Sequence, residues 1–173
     1  GYGQSRWGYI TEDDVRRVAE EYAKLGTPLD SIYLDIDYMQ DFKDFTVNPE
    51  RFSDLKKLAE SMKEQGIHLV PIIDAGVKIE DVYEEGVANN YFCKNEEGKD
   101  FVGAVWPGKV HFPDFLQPEA RSWFGEKYGE LTKLGIDGFW NAMNEPAIFY
   151  SEERLSGAID AVASLKGKNI GLS

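Results

Sequence analysis

Acidic side chains recur where short apolar segments end. Asp35 and Asp37 stand in "YLDIDYM", Asp74 follows "HLVPII", and Glu145 comes soon after Ala142 in "GFWNAMNEP". Carboxylates in such places can accept hydrogen bonds from several hydroxyls of a sugar. Two carboxyl groups that face one glycosidic bond can also provide acid–base and nucleophilic catalysis. The pattern therefore predicts a carboxylate-based site that binds a polar, hydroxyl-rich ligand.

Each of these carboxylates also has a structural alternative. Asp35 or Asp37 can cap the turn that follows or pair with Arg6. Asp74 can accept a hydrogen bond that closes a loop. Glu145 precedes a proline and can begin the next helix. The residue types alone leave both interpretations open, and we regard Asp37, Asp74 and Glu145 as weaker candidates than Asp35.

Aromatic side chains accompany the carboxylates. Trp7, Trp106 and Trp140 lie beside the predicted strand ends or in a long irregular segment. Aromatic faces pack against the C–H faces of pyranose rings, although ordinary core packing explains any one of these tryptophans taken alone. His68 and His111 have no partner at a metal-ligand spacing, so we expect structural roles for them and predict neither a metal nor a cofactor.

The elements that must position these residues repeat one pattern: an amphipathic helix, a glycine and a short apolar strand. Thr11 and Ser53 are the expected N-caps of the first two helices, which Gly26 and Gly66 are expected to end. The pattern occurs as "TEDDVRRVAEEYAKLG" before "LDSIYLDID", "SDLKKLAESMKEQG" before "IHLVPIID", "QPEARSWFGEKYGELTKLG" before "IDGFWNAMN", and "SEERLSGAIDAVASLKG" before "KNIGLS".

Units of this kind in series predict parallel strands joined by right-handed crossovers. An open doubly wound sheet and a (β/α)8 barrel both fit. No glycine-rich phosphate loop follows any strand, and the strand ends carry carboxylates instead. Because the strands of a barrel all end at one mouth, this favours an α/β fold of the (β/α)8 TIM-barrel type.

The chain length predicts an incomplete barrel. A whole barrel takes about 250 residues, so the 173 residues here supply about half of the strands. We expect 1–173 to be a single half-barrel unit, as a fragment or as one half of an assembly. Residues 89–115 form an elaborated loop whose aromatic content predicts order. Unpaired sheet edges predict self-association or pairing with a second half-barrel.

Charge and cysteine content exclude several classes of function. A formal charge of −12 disfavours nucleic acid and anionic membrane as partners. A neutral ligand such as glucose or a small oligosaccharide fits better. Cys93 is the sole cysteine, so an intramolecular disulfide and multi-thiolate metal sites are excluded. We read neither a signal peptide nor a transmembrane segment, and we expect a cytoplasmic protein.

A group of short motifs resembles the family 31 glycoside hydrolases, the retaining α-glucosidases and α-xylosidases. These motifs are "SRWGY", "YLDIDYM", "VPIID", "VWPG" with "FPDF", and "DGFWNAMNEPAIF". They occur in the order and approximate spacing of that family, up to about Tyr150, and are most similar to a bacterial α-glucosidase. The best-known family motif reads Trp-x-Asp-Met-Asn-Glu. One departure is "IIDAG", where many members have proline after the aspartate.

The resemblance implies roles for individual residues. The catalytic nucleophile is the Asp of that motif, and Ala142 occupies its position. Asp35 resembles the acid that holds the 4- and 6-hydroxyls of the sugar, and Trp7 an aromatic that tunes linkage preference. The general acid/base is an Asp on a later strand, beyond Ser173. Further residues resemble the lining of the glucose-binding −1 subsite: Ile36, Ile72, Trp106, Trp140, Met143 and Phe149.

Retaining hydrolysis needs two carboxyl groups about 5–5.5 Å apart, and an alanine cannot attack the anomeric carbon. The resemblance thus implies part of an α-glucosidase for terminal, non-reducing α-linked glucose, inactive in this copy whether Ala142 is natural or engineered. A non-catalytic, sugar-binding or self-associating half-barrel scaffold is the second hypothesis. A barrel lyase or aldolase is a weaker third, since no strand end offers a lysine.

Overall fold

Helices and strands alternate along the chain. The computed structural model describes residues 1–79, 84–144 and 147–151, so Glu145 and the predicted fourth helix–strand unit lie outside the described residues. The helices are α1 (Glu12–Leu25), α2 (Leu55–Glu64), α3 (Glu84–Ala88), α4 (Pro118–Lys127) and α5 (Gly129–Thr132). The strands are β1 (Gly3–Gln4), β2 (Ser31–Asp35), β3 (His68–Asp74), β4 (Val77–Lys78), β5 (Gly103–Val105), β6 (Gly108–His111), β7 (Trp140–Ala142) and β8 (Tyr150–Ser151).

Four strands form a parallel sheet in the order β1-β2-β3-β7. Ser31 pairs with His68 at one end of the sheet, and Asp74 pairs with Ala142 at the other. Successive neighbouring strands joined through helices are the arrangement found along the wall of a β/α barrel, as the sequence predicts. All four carboxyl ends therefore lie at one edge.

The helix boundaries follow from local capping. The hydroxyl of Thr11 accepts from the backbone N–H of Asp14, whose side chain accepts in return from the N–H of Thr11. The prediction that Ser53 caps α2 is wrong by one residue, because the carboxylate of Asp54 accepts from the N–H of Lys57 and Ser53 donates to Glu12 instead. Within the described ranges, no helix is long and apolar enough to cross a bilayer.

The hydrophobic core lies between the parallel sheet and its helices. Ile32 and Leu34 point to the covered face of β2 and are fully buried, in one cluster with Val15 of α1 and Leu58 of α2. The alternate residues of β2 are only half-buried and face the other side of the sheet. This alternation leaves one face of the strands free to carry the candidate site residues.

The long segment after β3, together with β8 from beyond β7, forms a second, antiparallel sheet in the order β4-β6-β5-β8. Val105, Val110 and Phe112 form its buried apolar cluster. Two isolated bridges, Phe92 to Pro113 and Lys94 to Asp100, tie the remaining loops to it. Residues 89–115 are therefore less irregular than the sequence suggests, since part of the segment is β-structure.

Tyr38 links the turn after β2 to β3 and offers a test of this packing. Its buried hydroxyl donates to the carbonyl of Ile72 at 2.8 Å. We expect Tyr38→Phe to lower the free energy of unfolding by about 1–2 kcal/mol, measured by urea denaturation. Tyr33→Phe is the matched control, because its hydroxyl has no recorded partner in the described chain. Equal losses in both variants would contradict this role.

Candidate active site

The carboxyl ends of β2, β3 and β7 bring the predicted site residues together. Ile72 pairs with Trp140 and Asp74 pairs with Ala142 across neighbouring parallel strands. Residues paired in this way point to the same face, so all four side chains share the face that the helices do not cover. Tyr33 of β2, which the sequence did not single out, also contacts Trp140, with ring centroids 6.3 Å apart.

Two ends of the site strands have strained backbone, and the other non-glycine residues with positive φ in the described chain are Asp41, Phe42, Phe45 and Asn90. Asp35, the last residue of β2, has φ 57° and ψ −155°, and Met143, just beyond β7, has φ 56°. Left-handed conformations of this kind cost a residue other than glycine about 1–3 kcal/mol, and they cluster at functional sites. The strain thus lies at Asp35 itself and at the residue after Ala142, the two positions to which the family resemblance gives the main chemical roles.

Asp35 combines a capping role with an exposure suited to a ligand. It is half-buried, and its Oδ1 accepts from the N–H of Ile36 at 2.8 Å. Burial raises the pKa of Asp35 above its usual value, Asp37 adds to this, and backbone N–H donors from Ile36 and Gly8 partly offset it. Ile36 itself lies in the hydrophobic core, nearly without solvent contact.

Asp37 has a structural environment. In "YLDIDYM", Asp35 and Asp37 are two residues apart, a spacing that would put both on one face of a strand. They do not share a face, because β2 ends at Asp35 and Asp37 lies in a 3-10 turn. Arg51 Nη1 contacts its Oδ1 at 3.3 Å, so its partner is Arg51 and not Arg6. A Cβ on Gly8 (φ 66°) would lie 1.8 Å from Oδ2 of Asp37, so only glycine permits this close approach.

Three of the predicted aromatic residues form a continuous row. The rings of Trp7 and Trp106 are 5.8 Å apart, and those of Trp106 and Phe149 are 5.1 Å apart and nearly perpendicular. Trp7 is 57% exposed and Phe149 45% exposed, so core packing does not explain their positions. Trp123, by contrast, is buried. The row offers an aromatic surface beside the strand ends.

Two carboxyl groups are buried at the end of β3 and in the loop that contacts it, and the sequence pointed to only one of them. Asp44 is 2% exposed and Asp74 4% exposed, and the N–H of Asp74 donates to Oδ1 of Asp44 at 3.2 Å. Burial raises the pKa of Asp74 to about 7, with a contribution from Asp35. Burial and then Asp74 hold the pKa of Asp44 well above its usual range. Nothing in "QDFKDFT" distinguishes Asp44 from Asp41.

A cavity of about 190 Å³ lies between the ends of β3 and β7. Its lining residues come from the ends of β3 and β7, from α4 and from the adjoining loops: Ile73, Asp74, Ala75, Phe115, Phe124, Tyr128, Asn141, Ala142 and Asn144. Asn141, between Trp140 and Ala142 on β7, faces the helix side, and its Oδ1 accepts from the hydroxyl of Tyr128 at 2.6 Å. Ala142 therefore lies at the edge of a cavity that also reaches the helix side of the sheet.

Neither histidine belongs to this site. His68 Nδ1 lies 3.0 Å from Asp137 Oδ1, and His111 Nδ1 lies 3.0 Å from the carbonyl oxygen of Phe101. Both contacts are structural, as the sequence suggests. In the described part of the chain, no three His, Cys, Asp or Glu side chains are grouped as a metal site requires.

The chain matches a known family over most of its length. The model of the glycosyl hydrolases family 31 TIM-barrel domain matches residues 1–166. Alpha-glucosidase 2 of Bacillus thermoamyloliquefaciens is 49% identical over 152 residues, which cover 86% of this chain and 19% of that protein. The chain thus spans about a fifth of the length of this relative.

Solved structures agree with this match. The endoplasmic reticulum glucosidase II complex, with its catalytic subunit and the binding domain of its regulatory subunit, superposes with a TM-score of 0.81 at 35% identity, over 86% of this chain and 17% of that chain. An aspartate-to-alanine variant of a Flavobacterium johnsoniae family 31 dextranase, complexed with isomaltotriose, superposes with a TM-score of 0.81 at 28% identity. The match covers 90% of this chain and 20% of that chain.

The predicted fold, part of a TIM barrel, is confirmed. A cytoplasmic location stays a prediction. The chain belongs to glycosyl hydrolase family 31, as a part of its TIM-barrel domain.

Proposed function

We propose that the chain is part of the catalytic barrel of a retaining α-glucosidase that releases terminal, non-reducing α-linked glucose. The observation that carries the proposal is the pairing of Asp74 with Ala142, which puts residue 142 at the end of β7 on the same face as Ile72 and Trp140. The 49% identical relative is an alpha-glucosidase, which supports the same substrate class.

The described side chains suit the two sides of a glucose ring. Asp35 lies at the end of β2 and, as a carboxylate, accepts hydrogen bonds from sugar hydroxyls. Trp106 and Phe149 offer faces and edges to the C–H groups of the ring, and Trp7 extends this row outward. Met143 packs partly buried beside the same strand end. Asp37 is assigned to the scaffold because it pairs with Arg51.

The reaction depends on a carboxylate at position 142. It attacks the anomeric carbon and forms a covalent glucosyl-enzyme, while a second carboxyl group, expected on a later strand, protonates the leaving oxygen. Water activated by that second group then releases glucose. Ala142 has no lone pair with which to attack, so we propose that this copy binds sugar without turnover. The family 31 dextranase variant, which has one aspartate replaced by alanine, is complexed with isomaltotriose.

A chimera tests the assignment of residue 142. The matched segment of alpha-glucosidase 2 is replaced by this chain, and hydrolysis of an aryl α-glucoside is measured. We expect Ala142→Asp to raise the rate at least about 10⁴-fold over the Ala142 chimera, because it restores the nucleophile. Ala142→Asn is the matched control, since it has the same shape as aspartate but lacks the attacking carboxylate.

Azide provides a second readout in the same chimera. In the Ala142 form, azide can enter the space that an aspartate side chain at position 142 would occupy. It then forms a bond to the anomeric carbon and displaces the aryloxide, and the product is β-glucosyl azide. We expect this product with Ala142 and none with Ala142→Asp. A folded chimera that gains no hydrolysis from Ala142→Asp and forms no glucosyl azide would show that residue 142 is not the nucleophile position.

A second candidate function is a non-catalytic scaffold that self-associates. The observation that favours it is that β1 and β7 are the outer strands of the described parallel sheet, with Trp140 of β7 38% exposed. Sedimentation equilibrium and glucose titration calorimetry of the 173-residue chain separate the two functions. A monomer or weak dimer that binds glucose supports the glucosidase proposal. A tight dimer that binds no glucose supports the scaffold.

A further inference from the structure

Asp44 and Asp74 are the two acidic residues that are buried in the described chain, and the mechanism above uses neither of them. Asp44 reaches β3 from the loop that follows β2, and its Oδ1 accepts from the N–H of Asp74 at 3.2 Å. Oδ1 of Asp74 is buried and has no hydrogen-bond partner among the described residues. Burying such an oxygen requires much more free energy when the carboxyl group is ionised than when it is a neutral acid.

The groups around Asp74 favour the neutral acid. Asp35 faces it from the end of β2, and Asp44 from the following loop. Two tyrosines complete the surroundings: Tyr128 lies near Asp44, and Tyr38 donates to the carbonyl of Ile72 beneath. None of the ion pairs recorded in the described chain involves Asp74. Burial and the negative charge of Asp35 oppose the ionisation of Asp74.

Asp74 also points toward the position at which the chemistry is proposed. Asp74 and Ala142 are paired residues on adjacent parallel strands, and both line the same cavity. Neighbouring strands lie about 4.8 Å apart, so a carboxylate at position 142 would be within hydrogen-bonding reach of the Asp74 side chain. A neutral carboxylic acid has one O–H to donate, whereas a carboxylate has none.

We propose that Asp74 is a positioning residue that is kept protonated by its burial beside Asp44 and that donates its O–H to the carboxylate occupying position 142 in an active copy. The proton remains bonded to Asp74, so no transfer step is involved. The role toward position 142 rests on the proposed function. The protonation of Asp74 does not, because it is a property of this chain as it stands.

A consequence for stability follows from the protonation of Asp74. Its pKa is raised to about 7 by burial and Asp35, whereas an aspartate in an unfolded chain has a pKa of about 3.9. The folded state therefore holds a proton that the unfolded state releases between these two values. The contribution of this proton to the free energy of unfolding is complete below about pH 4. It decreases as the pH rises toward 7 and is lost above that pH, because the unfolded chain is then favoured by its free ionisation.

Thermal unfolding of the 173-residue chain tests the protonation. Asp74→Asn keeps an N–H donor and cannot ionise. We expect its Tm to exceed that of the parent chain at pH 8 by several degrees, and this advantage to disappear by pH 4. Asp41→Asn is the matched control, an exposed position with φ 53° in the same loop as Asp44. An Asp74→Asn difference that is constant with pH, or larger in acid, would overturn the proposal.

A carboxyl titration tests the hydrogen bond to position 142. Ala142→Asp is prepared with ¹³C-labelled aspartate, and the introduced carboxyl is titrated by NMR in the 173-residue chain, with no activity needed. We expect Asp74→Asn to leave the acidity of this carboxyl within about threefold, because an amide also donates. Asp74→Ala should weaken the acid about tenfold, because the donor is lost.

A stronger acid at position 142 in the Asp74→Asn variant would show that Asp74 is ionised. If Asp74 carried a charge, Asp74→Asn would remove repulsion and strengthen the acid at position 142. That result, or the absence of any change in both variants, would overturn the positioning role. Failure of hydrolysis in the chimera, by contrast, would overturn the proposed function and leave these two titration results unaffected.

Discussion

The register between β3 and β7 is the constraint on which the candidate site depends. Only with Ile72 beside Trp140, and Asp74 beside Ala142, do the ends of the two strands present one continuous face. A shift of one residue would turn the site positions toward the helices, because side chains alternate along a strand. The Tyr128–Asn141 hydrogen bond on the helix side of β7 and the Tyr38–Ile72 hydrogen bond on β3 stabilise this register.

Features that cost stability collect at the same edge. The left-handed backbone at Asp35 and Met143 and the buried carboxyl groups of Asp44 and Asp74 are all unfavourable by themselves. These unfavourable features persist because packing in the core between the sheet and the helices fixes the positions of the strands. A packed core that holds unfavourable polar groups in place is what a site with preorganised polar groups requires.

The repeated helix–glycine–strand pattern was enough to predict parallel strands joined by helices, because helical periodicity and left-handed glycines are local properties. The choice of a barrel over an open sheet rested on the carboxylates at the strand ends. Gly26 and Gly66 do adopt positive φ, as predicted. The direction in which Asp37 points could not be predicted in the same way. It depends on the last residue of β2, which is set by the left-handed backbone at Asp35. Asp44 carried no local signal either. Its burial results from tertiary contact with β3, and in the sequence it is one acid among several in a polar loop.

Mass spectrometry of a covalent adduct tests the placement of residue 142 most directly. The Ala142→Asp chimera is incubated with a ring-fluorinated glucosyl fluoride, which slows hydrolysis of the glucosyl-enzyme, and is then digested and sequenced. We expect the sugar on residue 142, within the peptide spanning residues 138–149, and no adduct in the Ala142 chimera. An adduct on Glu145 or on any other residue, or turnover without a label at position 142, would contradict the placement of the nucleophile at the end of β7.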